Sequence, residues 1–303
     1  MYAFRVLLFI GGFVAIVVLL NKQYDAMYRD FTAYQFHELF HSNDPRDTII
    51  LGSSTALHGY DPAILGRVYN FGMLGAQPHF YLSWYKIFEM YYPKPKTVIV
   101  SLDWFSAGTN RGDPVHEEVE LTQDSRYLPI SVVLPMFWTA DFENKVMILA
   151  NLVRILGIGT DTKYLFIPRK DPSMDGYNHG YMPLYGDIDL SQQGPRNFVM
   201  NDAFLSDLES LLEEIQSQGS KVVLVEVPTY KPEEIHNLND SAIAEIAKKH
   251  NIPFLDYNRN FVSALNEDAS MFGDWSHLNR QGSTIFSMMF REDLRKDNLL
   301  KWE

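Results

Sequence analysis

The stretch "IILGSSTALHG", residues 49–59, sets two adjacent serines directly after an apolar run and a glycine. Thr48, Ile49, Ile50 and Leu51 read as a short buried strand, while Ser53, Ser54 and Thr55 are residue types that open a helix. A serine at the carboxyl end of a parallel strand, beside a helix start, can present its hydroxyl to a substrate at the rim of a sheet. The same letters also describe a serine that merely caps a helix. A partner is therefore needed, and "FGDWSHLNRQG", residues 272–282, supplies one. Asp274 and His277 stand three apart, so on an irregular turn both can reach one face. An aspartate that orients an imidazole equips it to take a proton from a hydroxyl.

The remaining candidates read as structural. His58 lies four residues after Ser54, close enough on a helix to touch it, but His277 has the paired aspartate, so His58 is assigned to the rim or to packing. Asp171, Asp175 and His179 recur at intervals of four, as metal ligands on a helix would, yet Pro172 and two nearby glycines argue for a loop. Asp256, at the end of an apolar run, is placed at the rim as a cap. No glycine-rich phosphate loop, Cys/His zinc spacing, HExxH or calcium loop is present, and neither a cofactor nor a metal is expected.

These residues need a scaffold. Besides 48–51, the clearest strand signals are "KTVIVSL" at 96–102, "SKVVLVEVP" at 220–228 and "NIPFLD" at 251–256, all short and β-branched. Between them, Phe204, Leu208, Leu211, Leu212 and Ile215 recur at helical spacing, with Asn201 or Asp202 able to cap and Gly219 able to terminate. A second helix spans about 239–249, and a third begins after Asn279. Alternating helices and strands predict an α/β fold with a mainly parallel sheet and right-handed crossovers. Residues 104–200 break this rhythm; apart from a helix expected near 143–156, they read as an insertion that covers the active rim or docks a partner.

Chain-wide features bound the class. The 303 residues, 46% hydrophobic, can bury a large core, and the net charge of −12 disfavours nucleic acid as a partner. Cysteine is absent, which removes disulfides and thiolate chemistry. From Tyr2 to Leu20 only Arg5 is charged. A helix of that length reaches about 28 Å, close to the hydrocarbon thickness of a bilayer. No small-x-small cleavage site follows at residues 19–24, so residues 1–24 are read as a retained transmembrane anchor. The acidic domain at 25–303 is then expected outside the cytoplasm.

Taken together, the blocks resemble the SGNH, or GDSL-like, hydrolase and acyltransferase superfamily. Gly52-Ser53-Ser54 matches its first block, with Ser54 at the nucleophile position and Ser53 as the alternative. Residues 70–75, "NFGMLG", are similar to the second block, which implies an oxyanion hole built from the backbone N–H groups of Gly75 and Ser54. Asp274-Trp275-Ser276-His277 matches the last block and completes a triad. The resemblance implies a three-layer fold, residues 25–303 forming the domain. One departure stands out: where such proteins often carry an asparagine that donates to the oxyanion, this chain has Ser101-Leu102-Asp103-Trp104-Phe105, and an ionised aspartate cannot donate. Asn110, in the following loop, is the candidate replacement. The anchor, the "GSS" block, the Trp-Phe pair and "DWSHLN" are most similar to DltD-like and alginate-acetylation-like proteins. That likeness implies O-acyl transfer to a cell-envelope polysaccharide or teichoic acid beside an MBOAT-type membrane acyltransferase. A carbohydrate esterase and a non-catalytic partner protein are the alternatives.

Overall fold

The computed structural model describes residues 46–91, 94–103, 177–186, 201–231, 240–259 and 264–296, with isolated positions elsewhere. The chain divides into two compact units, residues 1–40 with 114–172 and residues 41–113 with 173–303. Every described position of the first unit is helical. The predicted anchor at 1–24 lies outside the described residues except for Arg5, Gly11, Gly12, Ala15 and Ile16. Among the described residues no helix is long and apolar enough to cross a membrane.

The second unit is built on a parallel sheet. Its strands are β1 (Thr48–Gly52), β2 (Val68–Gly72), β3 (Thr97–Leu102), β5 (Lys221–Glu226) and β7 (Phe254–Asp256), in the order β2-β1-β3-β5-β7. A separate short pair joins β4 (Arg196–Asn197) to β6 (Ile235–His236). Every pairing in the larger sheet is parallel, with Ile50 opposite Asn70 on one side and Ile99 on the other. The apolar runs around 48, 97, 221 and 254 are buried on both faces, as parallel strands covered by helices must be. Strand β2 was missed in the sequence because its five residues include Asn70 and Gly72, neither of which favours a strand. The sheet order reverses between β1 and β3, the crevice where open α/β folds collect ligands.

One face of the sheet carries the short helices α1 (Ser54–Gly59) and α2 (Pro62–Leu65) with the long C-terminal α7 (Arg280–Lys296). Ile50, Ile99, Val223 and Val225 of the sheet pack there with Tyr60, Phe286, Phe290 and Leu294. Burying each phenylalanine contributes about 2–3 kcal/mol of transfer free energy. The other helices are α3 (Pro78–Tyr91), α4 (Asp202–Ser217), α5 (Asp240–Lys249) and α6 (Ala264–Glu267). Helices α3 and α4 pack on each other through an apolar face that includes Trp84, Leu208 and Leu211. Asn201 supplies the cap of α4, accepting from the Ala203 N–H, and Gly219 leaves it at φ 79°.

Two contacts hold α1 hard against β2. A Cβ on Gly72 would come within 2.3 Å of the Leu57 nitrogen. Beside it, the buried Asn70 amide donates to the carbonyls of Ala56 at 2.8 Å and Tyr60 at 3.0 Å, while its oxygen accepts the Gly72 N–H at 2.9 Å.

Residues 177–186, from the region read as an insertion, form a strap in this unit. The Asn70 N–H donates to His179 O at 3.0 Å, Met182 N–H to Leu57 O at 3.2 Å, and Arg280 N–H to Leu184 O at 2.8 Å. The strap thus ties the edge strand and α1 to the start of α7. Gly180 sits at φ 85°, and a Cβ there would lie 1.6 Å from the Asn70 carbonyl oxygen. Gly180→Ala combines backbone strain with overpacking and should lower unfolding stability by about 3 kcal/mol. Urea midpoints of the two proteins measure this.

Candidate active site

Ser54 is the first residue of α1, directly after the β1 turn at Ser53. His277 and Asp274 lie on the turn before α7. Asp274 Oδ1 accepts the backbone N–H groups of Ser276 at 2.8 Å and His277 at 2.9 Å, which curls the turn and brings the imidazole back over its carboxylate. The turn is pinned at its base by the Phe272–Leu278 bridge and by Gly273 N–H donating to His277 O. Asn279 then caps α7, accepting from the N–H groups of Gln281 and Gly282, both at 3.0 Å.

The structure brings Ser54, His277 and Asp274 into one hydrogen-bonded chain. His277 Nε2 lies 2.7 Å from Ser54 Oγ, and Nδ1 lies 2.8 Å from Asp274 Oδ2. An ionised carboxylate only accepts, so Nδ1 carries the proton, and the bare Nε2 accepts the Ser54 hydroxyl. Burial alone would push the Asp274 carboxyl up, but the His277 hydrogen bond and charge, with the bonds from Ser276, bring it from 3.8 to about 2. The Ser276 hydroxyl donates to Asp274 Oδ1 at 3.0 Å and also sits 2.9 Å from His277 Nδ1. Ser54, Asp274 and His277 are all partly exposed.

Ser53, the alternative nucleophile, is turned the other way. Its hydroxyl donates to Asp103 Oδ2 and accepts the Thr55 N–H at 3.3 Å, and the residue is 2% exposed. It is the cap of α1, a role worth about 1 kcal/mol, and its hydroxyl is engaged by Asp103 and Thr55. Gly75 lies on a turn that leaves β2, closed by Ala76 N–H to Met73 O at 3.3 Å. Its φ of 71° suits glycine at the third position of a type II turn. Met73 N–H donates to Gly52 O at 2.9 Å, which hangs this turn on the end of β1 beside the serines. Asn110 and the Trp104-Phe105 pair lie outside the described residues.

His58, assigned from the sequence to the rim or to packing, is buried. Its Nδ1 donates to Met182 O at 2.7 Å, and its ring meets that of His277 edge to face, centroids 5.5 Å apart. Nothing in the sequence links Met182 to residue 58, so the spacing alone could not reveal the contact. Burial drives the His58 pKa down from 6.5 to about 4; the Met182 bond and Asp274 resist, while His277 adds to the fall. The imidazole packed on His277 is therefore neutral at ordinary pH. His179 lies 2.8 Å from Arg46 Nη2, Asp171 and Asp175 fall outside the described residues, and no metal-binding group occurs among the described residues. Asp256 accepts the N–H groups of Asn258 and Arg259, so it caps its own turn.

The sequence matches no protein-family model and no curated protein. Among solved structures, the chain is similar to a GDSL-like lipase from Bacteroides thetaiotaomicron, at 14% identity and a TM-score of 0.42 over 88% of this chain and 100% of that one. It is also similar to a lipase/acylhydrolase from Enterococcus faecalis, at 13% identity and a TM-score of 0.39 over 82% and 96% of the two chains. A third likeness is to an acetyl xylan esterase, at 14% identity and a TM-score of 0.39 over 81% and 98%.

The neutral His58 has a measurable consequence. Its pKa is lower folded than unfolded, so between pH 6.5 and 4 the unfolded chain binds the extra proton. Stability is then full above pH 6.5 and declines as the pH falls toward 4, by at most about 3 kcal/mol. His58→Asn, which keeps a donor for Met182 O but cannot titrate, should flatten that limb of the stability-against-pH curve. Denaturant titrations at half-unit pH steps check it.

Proposed function

We propose that this chain is a serine acyl hydrolase or acyltransferase working through an acyl-enzyme on Ser54. The observation that carries the reading is the 2.7 Å contact between His277 Nε2 and Ser54 Oγ, with Asp274 on the opposite nitrogen. His277 takes the Ser54 proton as Oγ attacks an acyl carbonyl, and the backbone N–H groups of Gly75 and Ser54 receive the oxyanion. The imidazolium, stabilised by Asp274, returns the proton to the departing alcohol. A second hydroxyl, from water or from an acceptor, gives its proton to His277, attacks the ester and frees Ser54.

The acceptor decides between esterase and transferase. Our finer reading is O-acylation of a cell-envelope polysaccharide or teichoic acid beside an MBOAT-type membrane partner, with the domain tethered outside the cytoplasm. It is supported by the apolar residues 2–20 and by the resemblance of the sequence blocks. The net charge of −12, which disfavours nucleic acid, agrees with it. The intact Ser54–His277–Asp274 chain speaks against a purely non-catalytic partner.

Ser54→Ala should abolish labelling by a fluorophosphonate probe and cut ester hydrolysis by 10³-fold or more, while Asp274→Asn, with the wrong imidazole tautomer, should lose about 10⁴-fold in kcat. Normal labelling of Ser54→Ala would overturn the serine mechanism. In the native membrane, added protease should digest the domain in sealed cells; digestion only after lysis would overturn the envelope substrate class. Supplying acyl donor and glycopolymer to the full-length protein in membranes, then comparing polymer acylation with release to water, separates transferase from esterase.

A further inference from the structure

At the end of β3, Asp103 occupies the position where the resembled proteins often present a donor to the oxyanion. Here the residue is 6% exposed and its carboxylate accepts from the Ser53 hydroxyl. The two residues terminate adjacent parallel strands, β3 and β1, on either side of the point where the sheet order reverses. We propose that Asp103 is a positioning residue, which acts through Ser53 to fix the turn that carries the nucleophile and one oxyanion N–H. The inference rests on the serine acyl-transfer reading above.

The hydrogen-bond inventory forces the direction of this relay. A carboxylate only accepts, so the single Ser53 proton goes to Asp103 and the lone pairs of Ser53 face the Thr55 N–H. Without Asp103, the Ser53 proton turns to the other partner in reach, Thr55 Oγ1 at 3.1 Å, which rotates the lone pairs of Ser53 away from the Thr55 N–H and loosens the cap of α1. Helix α1 is only six residues long, so it has little internal cooperativity to hold its first turn in place. That first turn contains the Ser54 side chain, held 2.7 Å from His277, and the Ser54 N–H. A shift of an ångström there separates reacting atoms whose alignment is worth about 100-fold in rate.

The same carboxylate lies beside the second oxyanion turn. Tyr81 is buried, and its hydroxyl donates to Ala76 O at 2.8 Å, bracing the Met73–Ala76 turn that holds Gly75. Burial, and after it the negative charge of Asp103, raise the Tyr81 pKa, which keeps the phenol protonated as a donor. A negative charge near a developing oxyanion also opposes it electrostatically. The acceptor geometry of Asp103, rather than its charge, is then what serves the reaction. An amide oxygen at this position can supply the same acceptor.

The test measures p-nitrophenyl acetate hydrolysis and the rate of fluorophosphonate labelling in the full-length protein, with thermal melts confirming that each variant is folded. Asp103→Ala and Ser53→Ala should each lower kcat about 30-fold with KM within about twofold, and the double variant should lose no more than either single one. Asp103→Asn should recover at least about tenfold of the loss seen in Asp103→Ala, and Ser53→Thr should do the same for Ser53→Ala. Multiplying losses in the double variant, an unchanged kcat in Asp103→Ala, or an Asp103→Asn as slow as Asp103→Ala would each overturn the proposal. If Asp103→Ala does not fold, the Ser53→Ala and Ser53→Thr pair decides it, because Ser53→Ala removes a single oxygen from the relay. Ser54→Ala, run alongside, separates the two levels: continued labelling there rejects the serine mechanism itself. Silent Ser54→Ala with Asp103→Ala labelling at the wild-type rate rejects only the relay.

Discussion

The site depends on how tightly the chain can reverse at the end of β1. Strand β1 lies between its neighbours at the point where the sheet order changes direction, and the next residues must climb directly into a helix. Only a glycine at 72 leaves room for the backbone of α1 to lie against β2, and Asn70 then clamps the helix carbonyls from below. With α1 fixed this closely, a one-residue change in where the helix starts would exchange Ser53 and Ser54. The cap interaction removes that freedom. It commits one serine to the interior and sends the other to the rim.

Charge is arranged with the same economy. Asp274 stands at the outer end of the reacting chain, where four donors from its own turn and from His277 hold it ionised. Asp103 stands at the inner end, occupied by a hydroxyl. Between them, the second imidazole beside His277 is uncharged because burial disfavours its protonated form, and the Met182 carbonyl fixes its tautomer. An imidazolium forming on His277 therefore meets a carboxylate on one side and a neutral ring on another, with no competing cation at His58.

Much of this was legible in the chain's letters, because the decisive features are local. The β-branched runs, the periodic apolar face at 204–215, and the three-residue step from Asp274 to His277 all express short-range geometry. Residue type alone does not choose between Ser53 and Ser54, since both are good capping residues; the match to the first block put Ser54 at the nucleophile position, and the contact that turns Ser53 inward comes from Asp103, fifty residues away. Strand β2 was hidden by the Asn70 and Gly72 that make its contact with α1 possible. Helix α3 went unread because its apolar face is built largely from aromatics, which have no marked helix preference. The strap at 177–186 gave no periodic signal at all. Its backbone bonds to Asn70, Leu57 and Arg280 leave no trace in side-chain type, and its side-chain bonds, such as Tyr181 to Ser283 at 2.6 Å, join residues far apart in sequence.

The bond from His277 to Ser54 closes a loop of 223 residues. Closing so long a loop carries a chain-entropy cost that local contacts do not. During synthesis, β1 and its serines leave the ribosome long before the turn at 272–278 exists. Until that turn is made and seated against α1, Ser54 is an ordinary alcohol with no base beside it. The hydrogen-bonded chain of Ser54, His277 and Asp274 is thus complete only once the segment that leads into the last helix is in place.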